Sequence, residues 1–407
     1  MSRRRILFVA EAVTLAHVVR PIALAGRLDP ERWDVRLAAD PRYAKAVGSL
    51  SFPTETIWSI PPSRFAHALA HGTPIFDAPS IQRYVEEELA LFERVRPDVV
   101  VGDFRISLAI SAKRAGIPYI NITNAYWSPY ALIRHVVPEI TVARVLGTRA
   151  GQIAFDLFRR AGYAAHVVPV NKVRRRFGLP PLAADFRWAI MDADETLYAD
   201  IPEIVPTEPL PATHRFIGPI PWVPPVSLPA WWPELEAVAG KHPVIYVNLG
   251  SSGSEGAFEK ALAALADLDV TIVAATAGRP LASEKRGNAF VADYLPGDRA
   301  AEFADVVVCN GGSPSSYQAL AAGKPVVGMA ANTDQFLNMA AVEEAAAGVL
   351  VRARHGSATD VRDAVLEAMR GSRLRDGARR IKAALDAYDP FAIFSDVLRK
   401  VMGDAHR

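Results

Sequence analysis

The chain has 407 residues, of which half are hydrophobic and 22% are charged, and its formal net charge is +2. This composition is typical of a globular protein and excludes a disordered one, and the length suits two domains of about 200 residues each. The near-neutral charge gives no global indication of nucleic-acid binding. The single cysteine, Cys309, excludes an internal disulfide framework and a cysteine-based zinc site, and it fits a reducing compartment.

The N-terminus begins with basic residues followed by a short apolar run at residues 6–10. This run is too short for a signal peptide or a membrane span, and Glu11 ends it. We therefore expect the first strand of a parallel sheet at this point and a cytoplasmic location.

Short apolar strands alternate with helical patterns through the first half of the chain. Strands are predicted at residues 6–10, 33–38, 98–103 and 119–123, and helices at 18–28, 81–95 and 108–115. The helix at 81–95 is expected to keep Glu86, Glu87 and Glu88 on its solvent side. This alternation predicts a parallel sheet covered by helices on both faces.

A proline-rich stretch at residues 216–225 cannot form a helix or a central strand, and we interpret it as a linker. The alternation then restarts, with strands predicted at 244–249, 271–275, 289–291, 306–309 and 326–329. The predicted fold class is therefore α/β, with two Rossmann-like domains and a cleft between them. The predicted boundaries are an N-terminal domain at 1–215, a linker at 216–240, a C-terminal domain at 241–388 and a last helix within 389–407.

The most informative segment is residues 310–320, Asn-Gly-Gly-Ser-Pro-Ser-Ser-Tyr-Gln-Ala-Leu, which follows a predicted strand and enters a helix. The free backbone N–H groups and the dipole at such a helix start favour an anion such as phosphate. Polar side chains nearby suit sugar hydroxyl groups. Phosphate and hydroxyl groups together indicate a nucleotide sugar.

This segment, with a following Gly-Lys-Pro and then Asp-Gln and Asn, resembles the donor signature of the family-one glycosyltransferases of the bacterial antibiotic and macrolide type. Their usual form is His-Gly-Gly-x-Gly-Thr-x-x-Glu-Ala-Leu, and the spacing here matches without a gap. Asn310 replaces the His, Pro314 a Gly and Gln318 the Glu. The resemblance implies the GT-B architecture, a last helix that packs back on the N-terminal domain, and a UDP- or dTDP-sugar donor.

The resemblance also implies roles for individual donor-side residues. Asn310 can donate a hydrogen bond but carries no positive charge, so donor binding should depend more on the backbone N–H groups of residues 313–316. Gln318 would accept from the ribose more weakly than a carboxylate, or it is an ordinary residue of the helix surface. Asp334 and Gln335 would hold the sugar, although Asp334 also fits a helix cap. The predicted donor-binding residues are Gly250, Ser251, Ser252, Tyr294, Leu295, Asn310, Gly312, Ser313, Ser315, Gln318, Asp334 and Gln335.

Two further points on the donor side stay open. Gly250 and the serines after it form a loop directly behind a strand, which suits close approach of an anion but also fits a plain turn. The nucleotide base is expected beside Tyr294 or Leu295, and the sequence does not choose between them.

His17 is the predicted general base, because it follows the first strand and a histidine titrates near working pH. In the resembling family the base occupies this position as Gly-His-x-x-Pro, whereas here Ala16 precedes it and Pro21 comes one residue late. Asp103, at the end of a strand, is expected to pair with His17, or to cap the following helix. The implied reaction is a single displacement that inverts the anomeric centre, without a metal and without a cofactor other than the nucleotide-sugar co-substrate.

The acceptor is less well defined by the sequence. Aromatic residues in loop-like stretches of the first half predict an apolar pocket for a bulky acceptor such as a polyketide, a flavonoid or another aromatic alcohol. The predicted acceptor-binding residues are Phe76, Tyr126, Trp127 and Tyr130. A basic amphipathic stretch at 144–177 suits either a solvated helix face or an anionic membrane surface, which would favour a lipid acceptor and peripheral membrane contact.

Two other functions stay open. One is a nucleotide-sugar epimerase, for which no acid/base cluster is evident. The other is a degenerate partner protein, which the replacements at Asn310 and Gln318 favour. The chain is expected to be a monomer or a homodimer.

Overall fold

The computed structural model describes residues 3–224, 226–238, 240–250, 254, 256–278 and 288–403. The chain divides into two compact units. The first unit comprises Met1–Leu132, Ile153–Trp222 and Tyr388–Arg407, and the second comprises Ile133–Gln152 and Val223–Ala387. Residues 133–152 thus group with the second unit, although the sequence places them in the N-terminal domain.

The first unit is built on a parallel sheet whose strand order is β3-β2-β1-β4-β5-β6-β7. Its strands are β1 (Arg4–Ala10), β2 (Trp33–Ala39), β3 (Thr54–Thr56), β4 (Val99–Asp103), β5 (Tyr119–Thr123), β6 (Glu195–Tyr198) and β7 (His214–Phe216). The first seven helices of the chain are α1 (Ala16–Ala25), α2 (Ala44–Val47), α3 (Pro62–His71), α4 (Ala78–Val95), α5 (Leu108–Ala115), α6 (Thr141–Arg176, kinked at Gly147) and α7 (Phe186–Met191). The central strands are buried along their length because helices cover them, which explains their continuous apolar runs.

The second unit repeats this plan with a parallel sheet in the order β10-β9-β8-β11-β12-β13. Its strands are β8 (Val244–Asn248), β9 (Thr271–Ala275), β10 (Ala289–Ala292), β11 (Val306–Cys309), β12 (Val326–Ala330) and β13 (Gly348–Arg352). Its helices are α8 (Trp232–Val238), α9 (Ala257–Leu265), α10 (Gly297–Phe303), α11 (Ser313–Ala321), α12 (Thr333–Glu344), α13 (Ala358–Arg370) and α14 (Ser372–Leu385). The predicted α/β class with two parallel-sheet, Rossmann-like domains is confirmed.

The last helix, α15 (Pro390–Val401), belongs to the first unit. Asp389 caps it by accepting hydrogen bonds from two backbone N–H groups of its first turn. Phe394 and Leu398 are buried in the core that contains β1, and the rings of Phe394 and Phe8 lie 5.9 Å apart. The end of the chain therefore completes the core that its beginning starts.

One expectation about helix α4 is wrong. Glu88 is fully buried and accepts hydrogen bonds from Arg105, Ser107 and Ser111 at 2.7, 2.5 and 2.7 Å. A carboxylate tolerates such burial only when it is paired and hydrogen-bonded, and the pairing crosses to a segment that the helical period does not reveal. Within the described ranges, no helix combines the length and the apolar character needed to cross a membrane.

Candidate active site

The predicted catalytic pair and the predicted donor residues Gly250 and Asn310 follow the strands at which the strand order of each sheet reverses. In the first sheet the reversal falls between β1 and β4, and His17 follows β1 while Asp103 ends β4. In the second sheet it falls between β8 and β11, which Gly250 and Asn310 follow. Ligands of open parallel sheets bind at the carboxyl ends of the strands at such points, so both groups occupy the expected positions.

His17 and Asp103 form a hydrogen-bonded pair. Nδ1 of His17 lies 2.8 Å from Oδ1 of Asp103, whose side chain is completely buried. Because a carboxylate only accepts, Nδ1 carries the proton and Nε2 keeps its lone pair. The imidazole stacks on Phe104 at 4.7 Å, and Phe104 itself has a left-handed backbone, with φ of +54°. A non-glycine residue is strained there, and such strain concentrates at functional sites.

Arg20 is a third member of this group that the sequence did not reveal. It donates from Nε to Oδ2 of Asp103 and from Nη2 to Oδ1, both at 2.7 Å, and Arg20 and Asp103 are both buried. Burial opposes the charge on the guanidinium, but the facing Asp103 outweighs that effect and raises the pKa of Arg20. Nη2 also lies 3.3 Å from Nδ1 of His17, and the one carboxylate accepts from both side chains. The only signal in the sequence is the position of Arg20 one helical turn after His17.

Buried polar side chains extend this group across the sheet. Arg20 donates from Nη1 to Oδ1 of Asn124 at 2.8 Å, and Asn124 donates from Nδ2 to Oδ1 of Asp200 at 3.0 Å. Asp200 also accepts from the backbone N–H of Ala125. Asn124 follows β5 and Asp200 follows β6, so the network ties the carboxyl ends of four strands together and fixes the position of Arg20.

A second buried network lies beside the first. Arg105 donates to Glu88 at 2.7 Å and lies 3.5 Å from Glu11, and its guanidinium stacks over the ring of Tyr84 at 3.7 Å. Burial raises the pKa of both Glu11 and Glu88, although the charge of Arg105 works against that rise. In the same cluster the Tyr84 hydroxyl donates to Glu11 at 3.1 Å, and the Ser59 hydroxyl accepts from Arg105 at 3.3 Å. This network explains how Glu11 and Glu88 can be fully buried.

In the second unit, the loop after β11 has the shape expected of an anion-binding turn. Asn310 accepts at Oδ1 from the backbone N–H of Gly312 at 3.0 Å. Gly311 has φ of +75°, and a Cβ there would come within 2.7 Å of Cγ of Met339, so glycine is required. Burial raises the pKa of the Cys309 thiol to about 11, which makes it an inert core residue rather than a nucleophile.

Helix α11 begins directly at this loop, with Gly312 as its N-cap and Ser313 and Pro314 in its first turn. Ser315 follows within that turn. Asn338, which is completely buried, donates from Nδ2 to the carbonyl of Gly311 at 2.8 Å and to Oγ of Ser316 at 3.0 Å. Asn338 therefore holds the loop against α12, a positioning role that the motif spacing alone did not assign.

Gln318 lies where the loop before α10 approaches α11. A Cβ on Gly297 would stand 2.2 Å from Oε1 of Gln318, so the carboxamide fills the space that this glycine leaves. Nearby, Tyr294 is 45% exposed whereas Leu295 is buried. Of the two residues expected beside the base, only Tyr294 offers accessible surface for stacking.

Asp334 and Gln335 occupy the first turn of α12, but the cap is a different residue. Asn332 accepts from the N–H of Gln335 at 3.2 Å, and Oε1 of Gln335 accepts in return from the N–H groups of Asn332 and Ala331. The expectation that Asp334 caps this helix is therefore wrong. Gln335 is buried, and its Oε1 is engaged in the capping box.

The remaining predicted residues divide between described and undescribed positions. Gly250 donates its N–H to Oδ1 of Asn248 at 3.1 Å, whereas Ser251 and Ser252 lie outside the described residues. Phe76, Tyr126 and Trp127 are buried, and the last two form a short 3₁₀ turn, so their rings pack in the interior instead of lining an open loop.

Tyr130 is the predicted acceptor residue that keeps partial exposure, and its ring contacts Trp188 and His214. In the part of the chain that the structure describes, no three His, Cys, Asp or Glu side chains form a group that could hold a metal ion. Asp192 pairs with Lys113 and Arg174, and Asp194 accepts from the backbone N–H of Tyr119.

Comparison with known proteins agrees with this architecture. Residues 259–393 match the family model described as erythromycin biosynthesis protein CIII-like, C-terminal domain. A solved structure, the spinosyn rhamnosyltransferase SpnG, superimposes with a TM-score of 0.71 at 18% identity, covering 97% of this chain and all of SpnG. SpnG has also been solved with thymidine diphosphate and with spinosyn aglycone. The fold is thus that of a GT-B glycosyltransferase.

Two relatives are much closer in sequence. A PGL/p-HBAD biosynthesis glycosyltransferase of Mycobacterium tuberculosis is 47% identical over 94% of this chain and 89% of its own length. A PGL/p-HBAD biosynthesis rhamnosyltransferase of Mycobacterium bovis is 48% identical over 94% of this chain and 84% of its own. The chain belongs to the family of these enzymes and is a glycosyltransferase.

Proposed function

We propose that this enzyme transfers a sugar, with inversion and without a metal, from a UDP- or dTDP-sugar to a hydroxyl group of a bulky apolar acceptor. His17 is the general base and Asp103 its partner. The observation that carries the proposal is the 2.8 Å hydrogen bond from His17 to the buried Asp103 at the carboxyl ends of β1 and β4. The relative named a rhamnosyltransferase favours rhamnose as the sugar, and the SpnG complex with thymidine diphosphate favours dTDP.

In this mechanism Nε2 of His17 takes the proton of the acceptor hydroxyl while that oxygen attacks the anomeric carbon. The bond from that carbon to the diphosphate oxygen breaks, and the nucleoside diphosphate leaves. Asp103 stabilises the imidazolium that forms and fixes its tautomer through Nδ1. A positioned base of this kind contributes about 10²–10⁴-fold to the rate.

On the donor side, the leaving diphosphate is stabilised by the loop after β11 and the first turn of α11. Asn310 replaces a potentially charged histidine, so these contacts are neutral hydrogen bonds. Gln318 is the proposed partner of the ribose hydroxyl groups and Asp334 of the sugar hydroxyl groups. The nucleotide base is proposed to stack on Tyr294.

Calorimetric titration with UDP and with dTDP, in buffer containing a chelator, tests the donor site directly. We expect one of the two nucleotides to bind without added metal. His17→Ala should then lower transfer by about 10²–10⁴-fold while nucleotide affinity stays unchanged. His71→Ala, an exposed histidine on α3, is the matched control and should keep full activity.

Three results would count against the proposal. Full transfer by His17→Ala would exclude His17 as the base, and loss of transfer with a chelator would exclude the metal-free mechanism. If neither nucleotide binds, the replacements Asn310 and Gln318 have disabled the donor site, and a partner-protein role becomes the better explanation.

A further inference from the structure

Exposed apolar side chains are concentrated on helix α6. Among the described residues, seven of the ten large hydrophobic side chains that are exposed belong to this one helix. Four of them lie after its kink: Ile153 (71% exposed), Leu157 (72%), Phe158 (63%) and Val168 (63%). Single exposed hydrophobic residues are ordinary, but a cluster on one element marks a surface that is covered in use. We call these four residues the α6 apolar face.

The opposite side of the same helix is firmly packed. Val167, Val170 and Val173 are buried, and Arg174 donates from Nε to the carbonyl of Pro180 at 2.8 Å. The helix therefore has a fixed rotation about its axis. The α6 apolar face points to solvent, whereas the valines on the opposite side of the helix are already buried in the core.

The charge of this segment identifies what covers the face. Residues 153–176 contain six Lys or Arg and one Asp, a net charge of +5, whereas the whole chain carries +2 and the rest of it therefore −3. The exposed cations are Arg160, beside the apolar face, and Lys172, Arg175 and Arg176 at the helix end. Arg174 is buried and paired with Asp192, so it does not contribute to this surface. A second copy of the helix would still bring the exposed cations of one copy against those of the other, so the charge disfavours self-association and complements an anionic surface.

We infer that α6 docks the enzyme onto an anionic lipid bilayer. The α6 apolar face inserts among the acyl chains near the headgroups, and the exposed cations contact the anionic headgroups. From Ile153 to Val168 the face extends about 22 Å along the helix, long enough to lie in the plane of the interface. The inference goes beyond sugar transfer, because vesicle binding requires neither donor nor acceptor and fails independently of the catalytic proposal.

Vesicle flotation tests the inference with the full chain. We compare vesicles of phosphatidylcholine alone with vesicles in which about one third of the lipid is phosphatidylglycerol. The triple variant Ile153→Ser/Leu157→Ser/Phe158→Ser removes apolar insertion, and Arg160→Gln/Arg175→Gln removes charge. Leu228→Ser, at an exposed leucine in the second unit, and Arg379→Gln, on α14, are the matched controls.

The expected result is binding to the anionic vesicles, with much weaker binding to the neutral ones. Each α6 variant should lower the partition coefficient at least tenfold, and both controls should bind like the parent protein. Circular dichroism verifies that all variants stay folded, as their exposed positions lead us to expect. Failure of the parent protein to bind anionic vesicles, or equal binding by the α6 variants, overturns the inference. A dimer in sedimentation that the triple variant dissolves would assign the face to a second copy instead.

Discussion

Replacing Arg20 with glutamine tests the buried charge arrangement at the catalytic pair. The substitution removes two hydrogen bonds of 2.7 Å from the buried Asp103. It leaves Nδ1 of His17 as the side-chain donor to Asp103, which stays completely buried. Breaking a buried ion pair from one side costs about 3–5 kcal/mol, because the other charge stays desolvated. For a unit of this size that equals a fall in Tm of roughly 6–20 °C.

The same substitution should alter catalysis in a way that a purely structural residue would not. Arg20 neutralises part of the charge of Asp103 and places Nη2 3.3 Å from Nδ1 of His17, so it disfavours the imidazolium. Without it, the imidazolium gains the full attraction of Asp103. The low-pH limb of the kcat/KM profile should therefore move to higher pH.

Differential scanning calorimetry and a pH–rate profile measure both effects. Arg20→Lys keeps the charge but not the two-pronged geometry and should lie between the parent and the glutamine variant. Arg379→Gln is the control, because its pair with Asp376 is largely exposed on both sides and should contribute less than about 1 kcal/mol. An Arg20→Gln protein with the parent Tm and an unmoved acid limb would refute the reasoning.

Three further predictions concern other positions. Asn310→His adds a group able to carry charge beside the diphosphate, so dTDP or UDP should bind about tenfold more tightly at mildly acidic pH, measured by calorimetry; equal or weaker binding would place the diphosphate elsewhere. Gly297→Ala pushes the carboxamide of Gln318 aside and should weaken nucleotide binding with little change in Tm. Unchanged nucleotide binding would show that Gln318 does not touch the ribose. Burial lowers the pKa of His214, so the unfolded chain takes up that proton first and stability falls as pH drops below about 6.5. His214→Asn should flatten this decline in thermal melts at a series of pH values, and an unchanged slope would assign the decline to other groups.

The strands were predictable because their signal is local. Residues 119–123 and 306–309 coincide with β5 and β11, since a buried parallel strand needs a continuous apolar run wherever it lies. The short edge strand β7 escaped because it is only partly buried and has no such run, whereas β13 escaped although its sequence Gly-Val-Leu-Val is apolar. Glu88 was misplaced for a related reason: its partner Arg105 lies on a different segment, and helical periodicity carries no information about it.

At the site, the sequence supplied positions but not partners. His17 and Asp103 could be paired in advance because the resembling family pairs its base with an Asp in this region, and the structure places both at the carboxyl ends of neighbouring strands. Arg20 could not, since its role depends on a contact across the sheet to Asn124 as much as on its own helix. Tyr126 looked like a loop residue because the 3₁₀ turn that buries it has no apolar period.

The return of α15 to the first sheet has a consequence for synthesis on the ribosome. The core around Phe8 needs Phe394 and Leu398, yet the whole of residues 223–387 must be translated before those residues appear. At about 5–20 residues per second this is a delay of roughly ten to thirty seconds. During that interval the first unit has its sheet but exposes the surface that α15 will cover. Until the last helix arrives, the nascent chain stays in solution only if chaperones bind that surface or its aggregation is slow. The domain that begins synthesis is thus the last to be completed, and truncation near residue 388 should be far more damaging than its distance from His17 suggests.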